Sequence, residues 1–134
     1  MNAPQLPNVA LELERARGSL SAARVLLATQ HLPDAISRAY YAMFHASCAL
    51  LASIGRDACS HDGVRAVVAE HFIRPGLLSV SQGRALARMA GDRNDADYNV
   101  ASVFDATAVS QDIAIAESFL KEAEQILNAN RTSG

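Results

Sequence analysis

The chain has 134 residues, half of them apolar and 19% charged, with no Trp and a formal net charge of −2. That length suits one domain able to bury a core without covalent staples. The near-neutral charge excludes polyanion binding driven by bulk charge alone, and the sparse Gly and Pro favour an all-α domain over a sheet.

Residues 1–7 carry two prolines and no periodic pattern, so a loose lead-in is expected there. From Asn8, the positions Val9, Leu13, Ala16, Leu20, Ala23 and Leu27 recur at helical spacing. A first helix is expected from an Asn8 cap to about His31, where Leu32-Pro33 interrupts it. Pro33 and Asp34 then open a second helix, because Pro is tolerated in a first turn. Its stripe is Ile36, Tyr40, Met43, Phe44, Ser47, Leu50, Leu51 and Ile54, with Tyr40, Met43, Phe44 and Leu51 expected in the core. Gly55 is placed to end it in the left-handed conformation. Ser60 or Asp62 is expected to cap a third helix carrying Val64, Val67, Val68, His71 and Phe72, stopped by Pro75-Gly76. Ser79-Val80-Ser81-Gln82 has the capping-box form, which predicts a fourth helix over 80–91. Residues 91–104, GDRNDADYNVASVF, are polar and poorly periodic and read as a connection. Asp105 or Thr107 opens the last helix, with Val109, Ile113, Ala116, Leu120, Ala123 and Leu127 in one stripe to about Ala129. Residues 130–134 are expected to fray. The whole of 1–134 reads as a single antiparallel, up-and-down bundle of four to five helices.

The second helix, ISRAYYAMFHASCALLASI, carries one formal charge, Arg38. At 100° per residue, Arg38, Tyr41, His45, Cys48 and Ala52 lie together, opposite the main stripe. Three compatible readings exist for that second face. It packs beneath the 56–80 region, it forms a homodimer seam, or it presents the polar tips of Tyr41 and His45 from an apolar wall as a site.

Charge is unevenly spread. Arg65, Arg74, Arg84, Arg88 and Arg93 all fall within 60–93, either as an anion-binding patch or as unrelated solvated side chains. From Asn94 onward only Lys121 and Arg131 offset seven acidic residues, which marks the last helix as a candidate partner surface. Cys48 and Cys59 are expected as free thiols in a cytoplasmic protein, since no secretory leader or membrane-length apolar run is read. Cys59-Ser60-His61 lacks the paired spacing of a zinc site, and neither metal nor cofactor is expected.

SRAYYAMFHASCALL, then SHDGVRAVVAEHFI, GLLS and RALARMAGDRNDADY, follow one another in the chain. In that order they resemble the HEPN family, in particular the small stand-alone bacterial and archaeal HEPN proteins often found beside a minimal nucleotidyltransferase. The likeness spans about residues 9–128. It implies a helical bundle, commonly homodimeric, in a family with many metal-independent endoribonucleases. The family motif is an Arg, a polar residue that is often Asn, a few further residues and a His, with Arg and His of two protomers facing one cleft. A His near neutral pKa can move a proton at the ribose 2′-hydroxyl or the leaving oxygen. Arg can hold the phosphate and offset developing charge.

Arg93 and Asn94 match the start of that motif, and Tyr98 stands where the His would fall. A phenol that titrates near 10 is a poor base at neutral pH, which weighs against cleavage. Three readings stay open: a noncatalytic HEPN that binds RNA, a nucleotide or a protein; a ribonuclease using His45 in place of the missing His; or Asp97 and Tyr98 merely capping and packing a turn. The candidate catalytic residues are therefore Arg93, His45 and Tyr98. The candidate binding residues are Arg38, Tyr41, Asn94, Asp97 and Arg88. The resemblance implies the HEPN component of a toxin–antitoxin-like two-component system, binding RNA or nucleotide, with a homodimer and a minimal nucleotidyltransferase as partners and no membrane. The alternatives are a noncatalytic protein-interaction module and a nucleotide-binding regulator.

Overall fold

The computed structural model describes residues 4–58 and 60–132, with side chains through residue 129. Cys59, the last two residues of the expected frayed tail and the first three of the expected lead-in lie outside the described residues, while residues 130–132 continue the last helix rather than fray. The element order is α1 (Leu6–Ala28), α2 (Leu32–Ser53), α3 (His61–Val68), a π-helical turn (Ala69–Ile73), α4 (Val80–Tyr98) and α5 (Ala106–Thr132). Among the described residues there is no strand, as the all-α expectation requires.

Three boundaries differ from the sequence reading. The first helix begins at Leu6, with Gln5 rather than Asn8 at its cap position. Gln5 N–H donates to Ala52 O at 2.8 Å, so the lead-in is tied to the end of α2, and Asn8 Nδ2 donates back to Gln5 Oε1. The third helix widens after Val68 into the π turn, where Arg74 N–H reaches Ala69 O. The fourth helix continues to Tyr98, seven residues past the expected end. Its polar last turns are held by side-chain pairs one turn apart, Arg88–Asp92 and Arg93–Asp97. Contacts to other helices add to these, since Ser37 donates to Asp97 and Arg88 to Asp112.

The pairing of side chains sets the directions. Arg17 meets Glu124 and Arg24 meets Glu117, so numbers rise along α1 as they fall along α5. Gln82 donates to Ser118 and Glu122 while Arg88 reaches Asp112, which makes α4 antiparallel to α5. The tight Thr29–His31 connection, with Gln30 at φ 65°, folds α2 back along α1. The result is an up-and-down bundle with α2 in contact with α1, α3, α4 and α5.

That central position explains why α2 lacks a charged face. Ala35, Ala39, Ala42, Ala46 and Ala49 are fully buried, and the small side chains let neighbouring helices approach closely. Ser47, also buried, satisfies its hydroxyl on Met43 O. Tyr40, Met43 and Leu51 are core, as expected. Phe44 is not: it is only partly buried, because its ring faces His61 at the head of α3 rather than the bundle interior. Gly55 takes φ 69° at the end of α2, as the sequence suggests.

Local caps behave simply. Ser60 Oγ accepts from Gly63 N–H at 2.9 Å and Asp105 Oδ1 from Thr107 N–H at 3.0 Å. Replacing Ser60 by Ala removes the hydroxyl that accepts from Gly63 N–H and is expected to cost about 1 kcal/mol in chemical denaturation. A loss indistinguishable from zero contradicts the assigned cap.

Candidate functional site

The continuous helix through residue 98 brings Arg93 and Asp97 alongside the first half of α2. Tyr40 and Tyr41 meet them there, and His61 arrives from the head of α3. The Arg93 guanidinium carbon lies 5.4 Å from the Tyr40 ring centre and 5.7 Å from that of Tyr41. These are distances at which a ring face attracts a cation. Arg93 Nη1 donates to Asp97 Oδ2 at 3.3 Å, and Ser37 Oγ donates to the other carboxylate oxygen at 2.5 Å. The Arg93 side chain is only 13% exposed, and among the described residues its buried Nε has no hydrogen-bond partner. Arg offers five N–H donors in a rigid fork. Among the described residues, one long bond to Asp97 is the hydrogen bond that fork makes.

The second charge on this floor is Arg38, whose guanidinium carbon sits 4.7 Å from the Tyr41 ring centre. His45 also borders Tyr41, ring centres 6.2 Å apart, but its Nδ1 is held by Glu12 Oε2 at 2.7 Å. An ionised Glu12 accepts there, so the His45 Nδ1–H donates. Arg38, His45 and Arg93 thus each neighbour Tyr41, and among the described residues Tyr41 is the one of the three α2 residues that Arg93 itself approaches. Asn94 and Tyr98 are exposed, Tyr98 by 74%. Arg88 lies apart from the cluster. It is paired with Asp92 and Asp112 and lines a cleft of about 510 Å³ with Asp95, Phe104 and Asp105. The five arginines of 60–93 thus do not form one patch. Arg65 and Arg93 both act on Tyr40, while Arg88 faces the α4–α5 side.

His61, weighed in the sequence only as part of Cys59-Ser60-His61, and Glu12, not singled out there, complete the cluster. His61 Nδ1 lies 2.7 Å from Tyr40 Oη, and its ring centre is 4.4 Å from that of Phe44. Its position straight after the Ser60 cap was the available signal, since a side chain at a helix head projects beyond the first turn. Burial pushes the His61 pKa below the ordinary histidine value, and the Arg93 and Arg65 charges push the same way against Asp62. Burial raises the Tyr40 phenol, with Arg93 and Arg65 opposing it. Both groups are therefore neutral at neutral pH.

Burial, reinforced by Glu12, pushes the Cys48 thiol up to about 12. The thiolate is the reactive form. In a Cys59→Ser variant at pH 8, Cys48 is expected to label slowly with a maleimide when folded and rapidly in denaturant. Rapid labelling of the folded protein contradicts this burial. Among the described residues, no group of three His, Cys, Asp or Glu side chains is placed to hold a metal ion. No helix among them is long and apolar enough to cross a membrane.

An antiparallel bundle whose central helix faces a half-buried arginine across an aromatic floor defines an all-α domain with one polar, anion-compatible cluster. The HEPN domain family model matches residues 9–132, nearly the whole chain. The chain belongs to the HEPN family. It is 34% identical over 113 residues to a UPF0332 protein of Thermotoga maritima, covering 84% of this chain and 86% of that one. A Methanocaldococcus jannaschii protein named as a candidate toxin is 31% identical over 116 residues, 87% of this chain and 81% of its own. A second candidate toxin of the same archaeon is 32% identical over 65% of this chain and 59% of its own.

Proposed function

We propose that this chain is the HEPN component of a toxin–antitoxin-type two-component system and that it binds RNA or a nucleotide through phosphate at Arg93. The observation that carries the reading is the Arg93 guanidinium, held over Tyr40 and Tyr41 with its Nε buried and, among the described residues, unpaired. Phosphate suits a planar fork of donors, and nucleobases suit aromatic and guanidinium faces, so Tyr41 and Arg38 extend the site from phosphate toward base. Asp97 and Ser37 hold Arg93 in place. Asn94 and Tyr98, exposed beside it on the last turn of α4, supply further polar groups to a bound strand. The candidate toxins among the relatives support the two-component reading, and the family resemblance supports a minimal nucleotidyltransferase as the partner. Fluorescence anisotropy with a labelled single-stranded RNA and with ATP tests the binding. Saturable binding of either at micromolar protein is expected; no binding of both overturns the reading.

The same reading takes the protein as a homodimer. The lack of charge on α2 is accounted for inside one protomer, so the seam is better sought at the end of α4. There Tyr98, Val100 and Val103 leave apolar side chains exposed at and just past the last turn. Light scattering at micromolar concentration is expected to give the dimer mass, and a monomer throughout contradicts it.

A further inference from the structure

The short α3 and its π turn pack against α4 and leave an open groove of about 440 Å³ between them. Its lining is aliphatic, from Val68 and Ile73 on one side to Val80 and Leu86 on the other, with no aromatic ring among the lining residues. Val80, at the head of α4, is 56% exposed, and Leu77 just before it is 55% exposed. Gly83 lets the π turn approach α4. A Cβ at that position would stand 2.5 Å from Ile73 Cδ1, so Ile73 lies against bare backbone.

One arginine stands on each wall, Arg65 on α3 and Arg84 on α4, and the groove has no other charged lining residue among the described ones. Arg65 is paired with Asp62. Arg84 is exposed and has no ion-pair partner among the described residues. Arg74, which follows Ile73, is exposed and likewise without one. The groove is thus an apolar slot with a positive rim.

We propose that this groove docks an amphipathic helix of a partner protein, with aliphatic side chains on its buried face and carboxylates on its flanks. The inference does not depend on the phosphate reading of Arg93. Aliphatic anchors at i, i+3, i+4 and i+7 suit a slot between two helices. Carboxylates suit the arginine forks at the rim. An extended peptide has no place to pair, since there is no strand among the described residues whose edge could take it.

The other occupants fit less well. Single-stranded nucleic acid gains affinity by stacking bases on rings, and this lining offers none. A second copy of this chain would have to supply the carboxylates, and those of its acidic last helix are already engaged. Glu117 pairs with Arg24 and Lys121, Glu124 with Arg17, and Glu122 accepts from Gln82. A separate acidic helix brings its carboxylates without breaking those bonds.

The test uses the full chain and two fluorescein-labelled helical peptides. Both carry Leu at i, i+3, i+4 and i+7; one has Glu on the flanking positions and its twin has Lys there. By anisotropy the Glu peptide is expected to bind saturably at micromolar protein, and about tenfold or more tighter than the Lys twin. Added salt should narrow that difference. Arg84→Glu should weaken the Glu peptide about tenfold and strengthen the Lys twin, a reversal that a misfolded variant would not give. Val80→Asp, a change at an exposed position, should weaken both peptides. No saturable binding of the Glu peptide, or equal binding of the twins, overturns the inference. A single-stranded RNA that binds wild type but not Arg84→Glu, with peptide affinity unaltered, assigns the groove to nucleic acid and overturns it too. A dimer mass in light scattering that both Arg84→Glu and Val80→Asp reduce to the monomer assigns the groove to a second copy, with the same consequence.

Discussion

Phe119→Ala is expected to destabilise the protein by about 3–5 kcal/mol, the range for emptying a fully buried phenylalanine site. Phe119 is 0% exposed on α5, one helical turn from Ala116 and Ala123, and belongs to the single core that α1, α2, α4 and α5 share. The small alanines around it cannot fill the space left by a lost ring, because side chains without further atoms cannot repack into it. A domain of this size has about 5–15 kcal/mol of stability in all. The variant should unfold at a much lower urea concentration with little change in slope. Phe44→Ala should cost clearly less, since that ring is partly open to solvent beside His61. A loss below about 1 kcal/mol for Phe119→Ala would contradict the assigned packing of α5.

The periodic parts of this fold were legible. The stripe read for the last helix, Val109, Ile113, Ala116, Leu120, Ala123 and Leu127, is buried throughout. Phe119 lies on the edge of that stripe and was passed over, although its ring is the largest group α5 buries. Gly55 announced its positive φ because no other residue adopts it so readily. The stretch 91–98 was misread because local composition argued against a helix. Gly91, Asn94 and three aspartates weaken helix propensity, and the compensation comes from other elements, through Ser37 on α2 and Asp112 on α5. The π turn after Val68 left no periodic trace at all.

The site was half legible, for a related reason. Arg93 and Asn94 stood out through family resemblance, and Tyr41 and His45 through one unexplained helix face. His61 and Glu12 sit on other helices, and only packing shows that they meet that face. Arg88 matched Arg93 in residue type and lies five positions away on the same helix. Five residues turn a helix by about 140°, which carries its side chain to the acidic α4–α5 cleft instead.

Arg93 is the residue on which the functional account turns. Its charge-assisted bonds to a phosphate should each be worth about 1.5–3 kcal/mol. Removing it should therefore weaken binding about 10–100-fold. The change also removes the partner of Asp97, which keeps its bond from Ser37, so the unfolding of the variant must be followed alongside. The most direct measurement is the affinity of folded Arg93→Ala for a single-stranded RNA oligonucleotide, compared with wild type at one fixed salt concentration. A drop of about tenfold or more with the fold intact is the predicted result. Equal affinity of the two proteins would contradict the account.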